Sequence, residues 1–233
     1  MHRSPFFLLC FLFGIALPLT LAPAGEAHAD TAAVLYGNET ALANDIVITI
    51  DDCSVESNVR WAFDILRNRG LKATFFPNTK HMLRQNPQLW RDIVAAGFEI
   101  GYHTRMHTPG MTVEQLNADF DLFTAEVRGI LNDSGYTIRY VRPPAGVWNT
   151  DWMNWSASRG LITVRWNMVL PNVTVNYVEG VISNRASGGS ILLMHTGRAD
   201  VQWLQDHVDT LTRYHEPDGT PYHLTDISDA LTD

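Results

Sequence analysis

Short runs of apolar residues alternate with longer amphipathic stretches from residue 46 to the end of the chain. The short runs are rich in β-branched and aromatic residues, which predicts strands at 46–50, 73–76, 98–102, 139–141, 163–166 and 191–194. The longer stretches carry apolar residues at helical spacing, which predicts helices at 55–68, 87–96, 112–132, 151–158, 175–185 and 201–214. This alternation favours an α/β fold with a mainly parallel sheet. Periodicity leaves open whether that sheet is doubly wound or forms an incomplete barrel.

Several predicted helices have recognisable ends. Thr112 stands three residues before Gln115, a capping-box arrangement that predicts the start of a helix. Gly70, Gly97 and Gly135 stand where three helices should end, because glycine readily adopts the left-handed backbone that closes a helix. The sequence contains no internal repeat and no linker, which favours a single domain.

The N-terminus has the features of a secretory signal peptide. A short, weakly basic start that includes Arg3 precedes an apolar run at 6–21, and Ala27-His28-Ala29 forms a small-x-small cleavage site. The alternative is an uncleaved membrane anchor, but Pro18 interrupts the apolar run. We therefore expect a secreted protein whose leader is removed after Ala29.

Three segments follow from this interpretation. We expect residues 1–29 to be the cleaved signal peptide, 30–45 to form a loosely structured N-terminal segment, and 46–231 to form one domain with a sizeable core. No later apolar stretch is long enough to cross a bilayer, so no stable membrane insertion is expected once the leader is removed. Cys10 leaves with the leader, so Cys53 has no cysteine left to pair with in the chain.

The chain is acidic, with a formal net charge of −8, and the leader contributes one cation and one anion to that balance. Such a charge disfavours binding to nucleic acids and other polyanions. A neutral or cationic partner fits this composition better.

Polar side chains follow four of the predicted strands. Asp51 and Asp52 follow 46–50, His103 to His107 follow 98–102, Arg142 follows 139–141, and His195 follows 191–194. The carboxyl ends of parallel strands are where α/β folds build their active sites. Each feature alone has an ordinary alternative, since paired acids also open loops, a lone histidine usually packs in a core, and an arginine usually forms a salt bridge.

The histidine pair carries specific chemistry if a carboxylate joins it. His103 and His107 can both reach one cation, with an acidic residue as the third ligand. Three nitrogen and oxygen ligands that leave open positions are typical of a catalytic metal rather than a structural one. Of two adjacent carboxylates, one can bind the metal while the other takes a proton.

Taken in order, these segments resemble the NodB-homology polysaccharide deacetylases of carbohydrate esterase family 4. The family motifs are approximately T-F-D-D, H-[ST]-x-x-H, R-P-P-Y-G and L-x-H. Their matches here are Thr49-Ile50-Asp51-Asp52, His103-Thr104-Arg105-Met106-His107, Arg142-Pro143-Pro144-Ala145-Gly146 and Leu193-Met194-His195. The resemblance runs from about residue 46 to 231, and four motifs in order are far more specific than one. It implies a distorted, incomplete (β/α) barrel and a polysaccharide deacetylase domain at 46–231.

The resemblance also implies roles for these residues. Asp52, His103 and His107 would bind a divalent metal, most often zinc, with cobalt or another transition metal as alternatives. Asp51 would act as general base on the attacking water, and Arg142 would orient it.

The remaining roles concern the leaving group and the oxyanion. Pro144 and Ala145 would border the substrate, with the Ala145 backbone N–H stabilising the oxyanion, and His195 would protonate the departing amine. An amide needs all three contributions: an activated water, an electrophile at its carbonyl and a proton for its leaving group.

The sequence departs from the family pattern at three places. Cys53 stands where the family usually has glycine, and it is either an extra metal ligand or, as we expect, a small buried spacer. Ala145 replaces the usual tyrosine. The fourth motif, near W-D-x-D-x-x-D-W in the family, is matched only at Trp166, which places Asn172 where an aspartate normally partners the catalytic histidine.

Three functions remain open at this point. The first is an N-deacetylase of N-acetylglucosamine polymers such as peptidoglycan or chitin, and the second is an O-deacetylase of the acetyl xylan type. The third is a carbohydrate-binding relative with impaired catalysis, which the altered fourth motif and Ala145 favour and the five intact Asp and His positions oppose.

Overall fold

An almost entirely buried strand forms the centre of the computed structural model, which describes residues 33–37, 42, 45–170, 189–213 and 219–232. Strand β2 (Asp45–Asp52) has no alternation of buried and exposed positions, because each residue up to Asp51 is buried. A strand buried on both faces is typical of a parallel sheet that is covered on both sides. The predicted strand at 46–50 is therefore confirmed, and it lies in the middle of the sheet.

The described residues contain nine strands, all paired in parallel. Besides β2 they are β1 (Val34–Leu35), β3 (Thr74–Pro77), β4 (Glu99–Ile100), β5 (Tyr140–Val141), β6 (Ile162–Val164), β7 (Met168–Val169), β8 (Ser190–His195) and β9 (His223–Thr225). The larger sheet has the order β4-β3-β2-β8-β7, and the smaller has the order β1-β6-β5. The N-terminal segment thus contributes β1, which pairs with β6.

The two sheets together follow the course of an incomplete barrel. A bridge between Tyr102 and Val141 links the end of β4 to β5 and so joins the sheets on one side. On the other side, no ladder among the described residues joins β7 to β6. One side of β2 is paired with β8 along most of its length. The other side is shared, because β9 pairs with the first residues of β2 and β3 pairs with the last. The predicted α/β class is confirmed.

Seven helices lie in the described part of the chain: α1 (Glu56–Arg67), α2 (Thr79–Met82), α3 (Pro87–Ala95), α4 (Val113–Leu131), α5 (Thr150–Ser158), α6 (Arg198–Leu211) and α7 (Ile227–Ala230). The five long ones confirm predicted helices, and the sixth prediction, 175–185, lies outside the described residues. Helices α2 and α7 were not predicted because four residues are too few to show a helical period. No described helix combines the length and the apolar character that a membrane span requires.

The ends of the helices follow the predicted signals with one exception. The Thr112 side chain accepts from the Gln115 N–H and the Gln115 side chain accepts from the Thr112 N–H, so the capping box is confirmed. Gly70 and Gly97 have φ values of +68° and +86° just after α1 and α3, as predicted. The prediction for Gly135 is wrong. Asn132 closes α4 instead with φ +55°, and asparagine is one of the few other residues that tolerate this conformation.

The capping box gives a direct test of this helix assignment. Thr112→Ala removes the acceptor for an N–H at the start of α4, so we expect it to lower the free energy of unfolding by about 1 kcal/mol. Urea denaturation followed by circular dichroism measures the difference. Thr150→Ala, at an exposed position in the first turn of α5, is the matched control and should be almost neutral. Equal losses in both variants would contradict the role of the box.

Candidate active site and metal centre

The carboxyl ends of the neighbouring strands β2 and β8 lie side by side at the carboxyl end of the larger sheet. Their parallel register places Asp51 opposite His195, and Asp51 is also paired with Phe76 on β3. Two residues that are 144 positions apart in the sequence thus meet in one ladder. The expectation that the polar residues after these strands converge is confirmed for this pair.

Asp51 and Asp52 both face His103, although neighbours in a regular strand point to opposite faces. The reason is the backbone of Asp52, whose φ of +62° breaks the alternation. One oxygen of each acid, Asp51 Oδ2 and Asp52 Oδ1, lies 3.7 and 3.6 Å from His103 Nε2. Asp51 is almost fully buried, whereas Asp52 is partly exposed at the mouth of the site.

The two histidines complete a compact triangle with Asp52. His107 Nε2 lies 3.5 Å from Asp52 Oδ1, and the two imidazole rings are 5.0 Å apart between centroids. One ligand atom from each of Asp52, His103 and His107 lies within 4.8 Å of the others. This group is the one predicted from the sequence.

The triangle fits a bound cation. Asp52 Oδ1 is buried and has no hydrogen-bond donor among the described residues, which is costly for a carboxylate unless a cation satisfies it. His103 Nδ1 is hydrogen-bonded to the Arg142 carbonyl at 2.8 Å, which leaves Nε2 with a lone pair directed at the triangle. Burial lowers the pKa of His103, outweighing the opposing effect of Asp51, so the imidazole favours the neutral form that a metal requires.

The segment from His103 to His107, called the histidine loop below, is held by residues that lie outside the sequence motifs. The Asn78 side chain donates to the carbonyls of His103 and Thr104 at 2.8 and 3.0 Å. Asp119 on α4 accepts from the Arg105 N–H at 3.0 Å and from the Tyr102 hydroxyl at 2.8 Å. Asn78 follows β3 directly, so its place at a strand end was a usable signal, whereas Asp119 on a long helix offered none.

Arg142 lies fully buried beside Asp51, and each of its three guanidinium nitrogens donates a hydrogen bond. Nη1 donates to Asp51 Oδ1 at 2.7 Å and to Thr49 Oγ1 at 2.8 Å. Nε and Nη2 donate to the carbonyls of Val164 and Arg165, both at 3.1 Å. Burial lowers the pKa of Arg142 and the Asp51 charge opposes that shift, as expected for a buried ion pair.

Left-handed backbone is concentrated around this centre. Six described non-glycine residues have positive φ values, and five of them, Asp52, Cys53, Thr104, His107 and Ala145, belong to the site motifs or stand beside them. Each such residue costs on the order of 1 kcal/mol. Strain that is concentrated in this way is typical of a functional site, where side-chain placement outweighs local stability.

Cys53 is a buried spacer, as expected, and does not join the ligand triangle. Its side chain is fully buried, and Sγ donates to the Ile50 carbonyl at 3.7 Å. Burial raises the pKa of the thiol well above its usual value, and the Asp51 and Asp52 charges raise it further. A thiol that stays protonated is a poor metal ligand. Its φ of +55° also explains why glycine is common here in the family.

Pro144 and Ala145 belong to a short 3₁₀ turn (Pro144–Gly146) that is separated from Arg142 by Pro143 alone. Pro144 is buried, and Ala145 is exposed with φ +53°. Arg165 fixes this turn by donating to the Gly146 carbonyl, and its guanidinium lies 5.4 Å from the Trp148 ring centroid. The turn therefore presents the backbone of Ala145 at the surface, close in sequence to the buried Arg142.

His195 lies at the end of β8 with its side chain 45% exposed, and Asp200 lies beside it. The predicted partner Asn172 lies outside the described residues, so that expectation stays a prediction. Of the other predicted site residues, the structure brings Asp51, Asp52, His103, His107 and Arg142 into direct contact with one another.

Comparison with known proteins identifies the family of this chain. The sequence profile of a family described as polysaccharide deacetylase matches residues 38–164, just over half of the chain. The chain therefore belongs to the NodB-homology polysaccharide deacetylases of carbohydrate esterase family 4, as the resemblance implied.

Related sequences carry deacetylase names. A chitooligosaccharide deacetylase of Bradyrhizobium sp. is 28% identical over 70% of this chain and 74% of its own length. The peptidoglycan-N-acetylmuramic acid deacetylase PdaA of Bacillus subtilis is 26% identical over 72% of this chain and 66% of its own length. An uncharacterised protein of Geobacillus stearothermophilus is 27% identical over 67% of this chain, and the match spans only 61% of that protein.

Solved structures show the same fold. The structure of Bacillus subtilis PdaA superimposes with a TM-score of 0.67 at 24% identity, covering 85% of this chain and 84% of that one. A carbohydrate esterase family 4 pseudoenzyme from Bacillus anthracis gives a TM-score of 0.70 at 18% identity, covering 86% and 69%. The fold is therefore shared by proteins that catalyse deacetylation and by at least one that does not.

The buried ion pair gives a stability test. Arg142→Met leaves the Asp51 carboxylate buried without its cation, so we expect unfolding of the metal-free protein to become easier by about 3–5 kcal/mol. The double variant Arg142→Met with Asp51→Asn should lose less free energy of unfolding than the sum of the losses in the two single variants, by at least about 1 kcal/mol. Chemical denaturation in a chelator measures all three variants.

Arg159→Met is the matched control for this test. It breaks a surface pair with Asp121 and should cost at most about 1 kcal/mol. Strict additivity of the Arg142 and Asp51 substitutions would show that the pair does not act as a unit.

Proposed function

We propose that this protein is a secreted, metal-dependent hydrolase that removes acetyl groups from an N-acetylated polysaccharide. The observation that carries the proposal is the Asp52, His103 and His107 triangle, which lies directly beside the Arg142-bound carboxylate of Asp51. These four groups supply a cation site and an adjacent proton acceptor, the combination that amide hydrolysis needs.

The residues of this chain divide the work as follows. A divalent cation held by Asp52, His103 and His107, zinc by preference and cobalt as an alternative, would polarise the acetyl carbonyl and acidify a water. Asp51 takes a proton from the attacking water. Its Oδ1 is fixed by Arg142, whereas its Oδ2 faces His103 and is the oxygen placed to act.

The second half of the reaction needs an oxyanion partner and an acid. The exposed turn at Pro144 and Ala145 offers a backbone N–H to the developing oxyanion. His195 delivers a proton to the nitrogen as the C–N bond breaks. The water oxygen ends in acetate, and the sugar leaves as a free amine, so the proton that Asp51 takes up balances the one that His195 gives.

The choice of an amide substrate is supported by the relatives. The matched proteins are named for chitooligosaccharides and for peptidoglycan, both of which carry N-acetyl groups. The net charge of −8 suits a neutral or cationic glycan better than a polyanion. An extracytoplasmic location, with 1–29 as signal peptide and 46–231 as the catalytic domain, fits a substrate in the cell wall or outside the cell. Hydrolysis of O-acetyl groups is the second candidate.

A carbohydrate-binding protein without turnover is the third candidate, because a pseudoenzyme shares the fold. The ligand triangle and the buried Asp51–Arg142 pair oppose it. The triangle holds Asp52 and His107 in strained backbone, and the ion pair buries two charges. A binding function alone requires neither.

Acetate release separates these functions. We expect the purified protein with zinc or cobalt to release acetate from peptidoglycan or a chitin-type oligomer faster than from acetyl xylan. Enzymatic acetate determination measures all three reactions, and Asp51→Asn purified in the same way controls for contaminating esterases. Sugar binding without any acetate release in saturating metal would favour the pseudoenzyme, and faster release from xylan would favour the O-deacetylase.

Metal content separates the two adjacent acids. Asp52→Ala removes the anionic ligand, so stoichiometric metal should be lost, whereas Asp51→Asn should retain metal and lose turnover because only the proton acceptor is changed. Elemental analysis after dialysis measures occupancy, and Asp121→Asn, on the surface of α4, is the control that should retain both. Equal metal content in Asp52→Ala and the unmodified protein would contradict the ligand assignment.

A further inference from the structure

The segment after β8 turns back on itself within five residues. Helix α6 begins at Arg198, and its N-cap residue Gly197 has no side chain with which to cap the helix. Asp200, in the first turn of α6, instead reaches back and accepts from the His195 backbone N–H through Oδ2 at 2.6 Å. This bond fixes the backbone of His195 relative to the helix.

The same oxygen also faces the imidazole. Asp200 Oδ2 lies 3.7 Å from His195 Nδ1, longer than a hydrogen bond but within the range of an ion pair. A rotation of the ring that shortens this separation by about 1 Å would make the bond, and such contacts are often long in the absence of substrate. Because Nδ1 faces Asp200, the opposite ring nitrogen Nε2 is directed away from the helix.

Burial distinguishes the two partners. The Asp200 side chain is 10% exposed, whereas the His195 side chain is 45% exposed. Burial raises the pKa of Asp200, while the backbone N–H of His195 and then its imidazole charge oppose the rise. A sheltered carboxylate beneath a more exposed imidazole is the arrangement in which a carboxylate orients a histidine for proton transfer.

The other groups around His195 leave this role to Asp200. Asp51 is its register partner on β2, but Asp51 Oδ1 is bound by Arg142 and Asp51 Oδ2 faces His103. On the other side of β8, strand β7 consists of Met168 and Val169, which carry no charge. Among the residues that the structure describes, no other carboxylate lies within 4.0 Å of a ring nitrogen of His195.

We propose that Asp200 is the positioning carboxylate of His195, holding the imidazole through Nδ1 so that Nε2 delivers the proton to the departing amine. This rests on the proposed function, in which His195 is the general acid. The family's usual aspartate for this role would fall at Asn172, so the charge is supplied here from the first turn of α6 instead. Asp200 acts through His195 and does not contact the substrate.

The first arm of the test reads the imidazole without any turnover. In protein labelled with ¹⁵N-histidine, with the His195 signals assigned by loss in His195→Gln, we expect the neutral ring to carry its proton on Nδ1. In Asp200→Ala the population should shift toward the Nε2–H form, because the bond made by one nitrogen sets the tautomer. An unchanged tautomer in Asp200→Ala overturns the proposal.

The second arm compares leaving groups. Asp200→Asn keeps an acceptor for the His195 backbone N–H but removes the charge, so the loop should stay in place. We expect deacetylation of the N-acetyl substrate to slow by at least about 10-fold, since charge-removing changes at such a carboxylate cost up to ~10⁴-fold. Hydrolysis of p-nitrophenyl acetate, whose leaving group needs no proton, should slow far less. Equal slowing of both substrates would indicate a structural role and overturn the proposal.

Three further variants make the result decisive. Asp206→Asn, an exposed acid on the same helix, should change neither readout. Asp200→Glu, which keeps the charge, should retain more amide activity than Asp200→Asn, and the reverse order would overturn the proposal. Asn172→Asp should leave the tautomer unchanged, and a shift there would assign the role to position 172. If the protein releases no acetate at all, the proposed function fails, while the tautomer arm still decides whether Asp200 holds His195.

Discussion

The buried ion pair between Asp51 and Arg142 is the contact on which the rest of the structure depends. Arg142 follows β5, and it reaches Asp51 and Thr49 on β2 and the carbonyls of Val164 and Arg165 at the end of β6. It therefore connects the two sheets, as the bridge between Tyr102 and Val141 also does. The same contact holds the proposed base in place, so the stability of the incomplete barrel and the geometry of the site are not separable.

Around this pair, the loops adopt strained backbone conformations that place the side chains of the site. Residues in left-handed backbone follow three different strands, and buried side-chain contacts hold them there, such as those from Asn78 to the histidine loop. The loop is also attached to α4 through the ion pair of Arg105 with Glu126. Rigid elements on either side thus hold the ligand atoms in place. A cation can therefore bind without a rearrangement of its ligands.

Much of this could be predicted from the sequence, for a physical reason. Strand ends converge in parallel α/β folds, so polar residues after buried strands identify a site before any contact is known. Asp119 and Asp200 were missed because their roles depend on contacts with backbone outside their own helices, whereas Asn78 had a usable signal in its place at the end of β3. Strands β1, β7 and β9 are too short to show a period. Gly135 was preferred over Asn132 as the end of α4 because composition shows which residues can adopt left-handed backbone, but not which one does.

The pairing of β2 with β8 has a consequence for how the protein is made. The hydrogen bond from the Thr49 hydroxyl to the Leu192 carbonyl joins residues 143 positions apart, at the centre of the larger sheet. During synthesis β2 is made long before its neighbour β8. Contacts between residues so far apart in the sequence form slowly. The candidate site therefore cannot form in a chain that ends before β8. It is completed only when β8 has joined β2, late in folding.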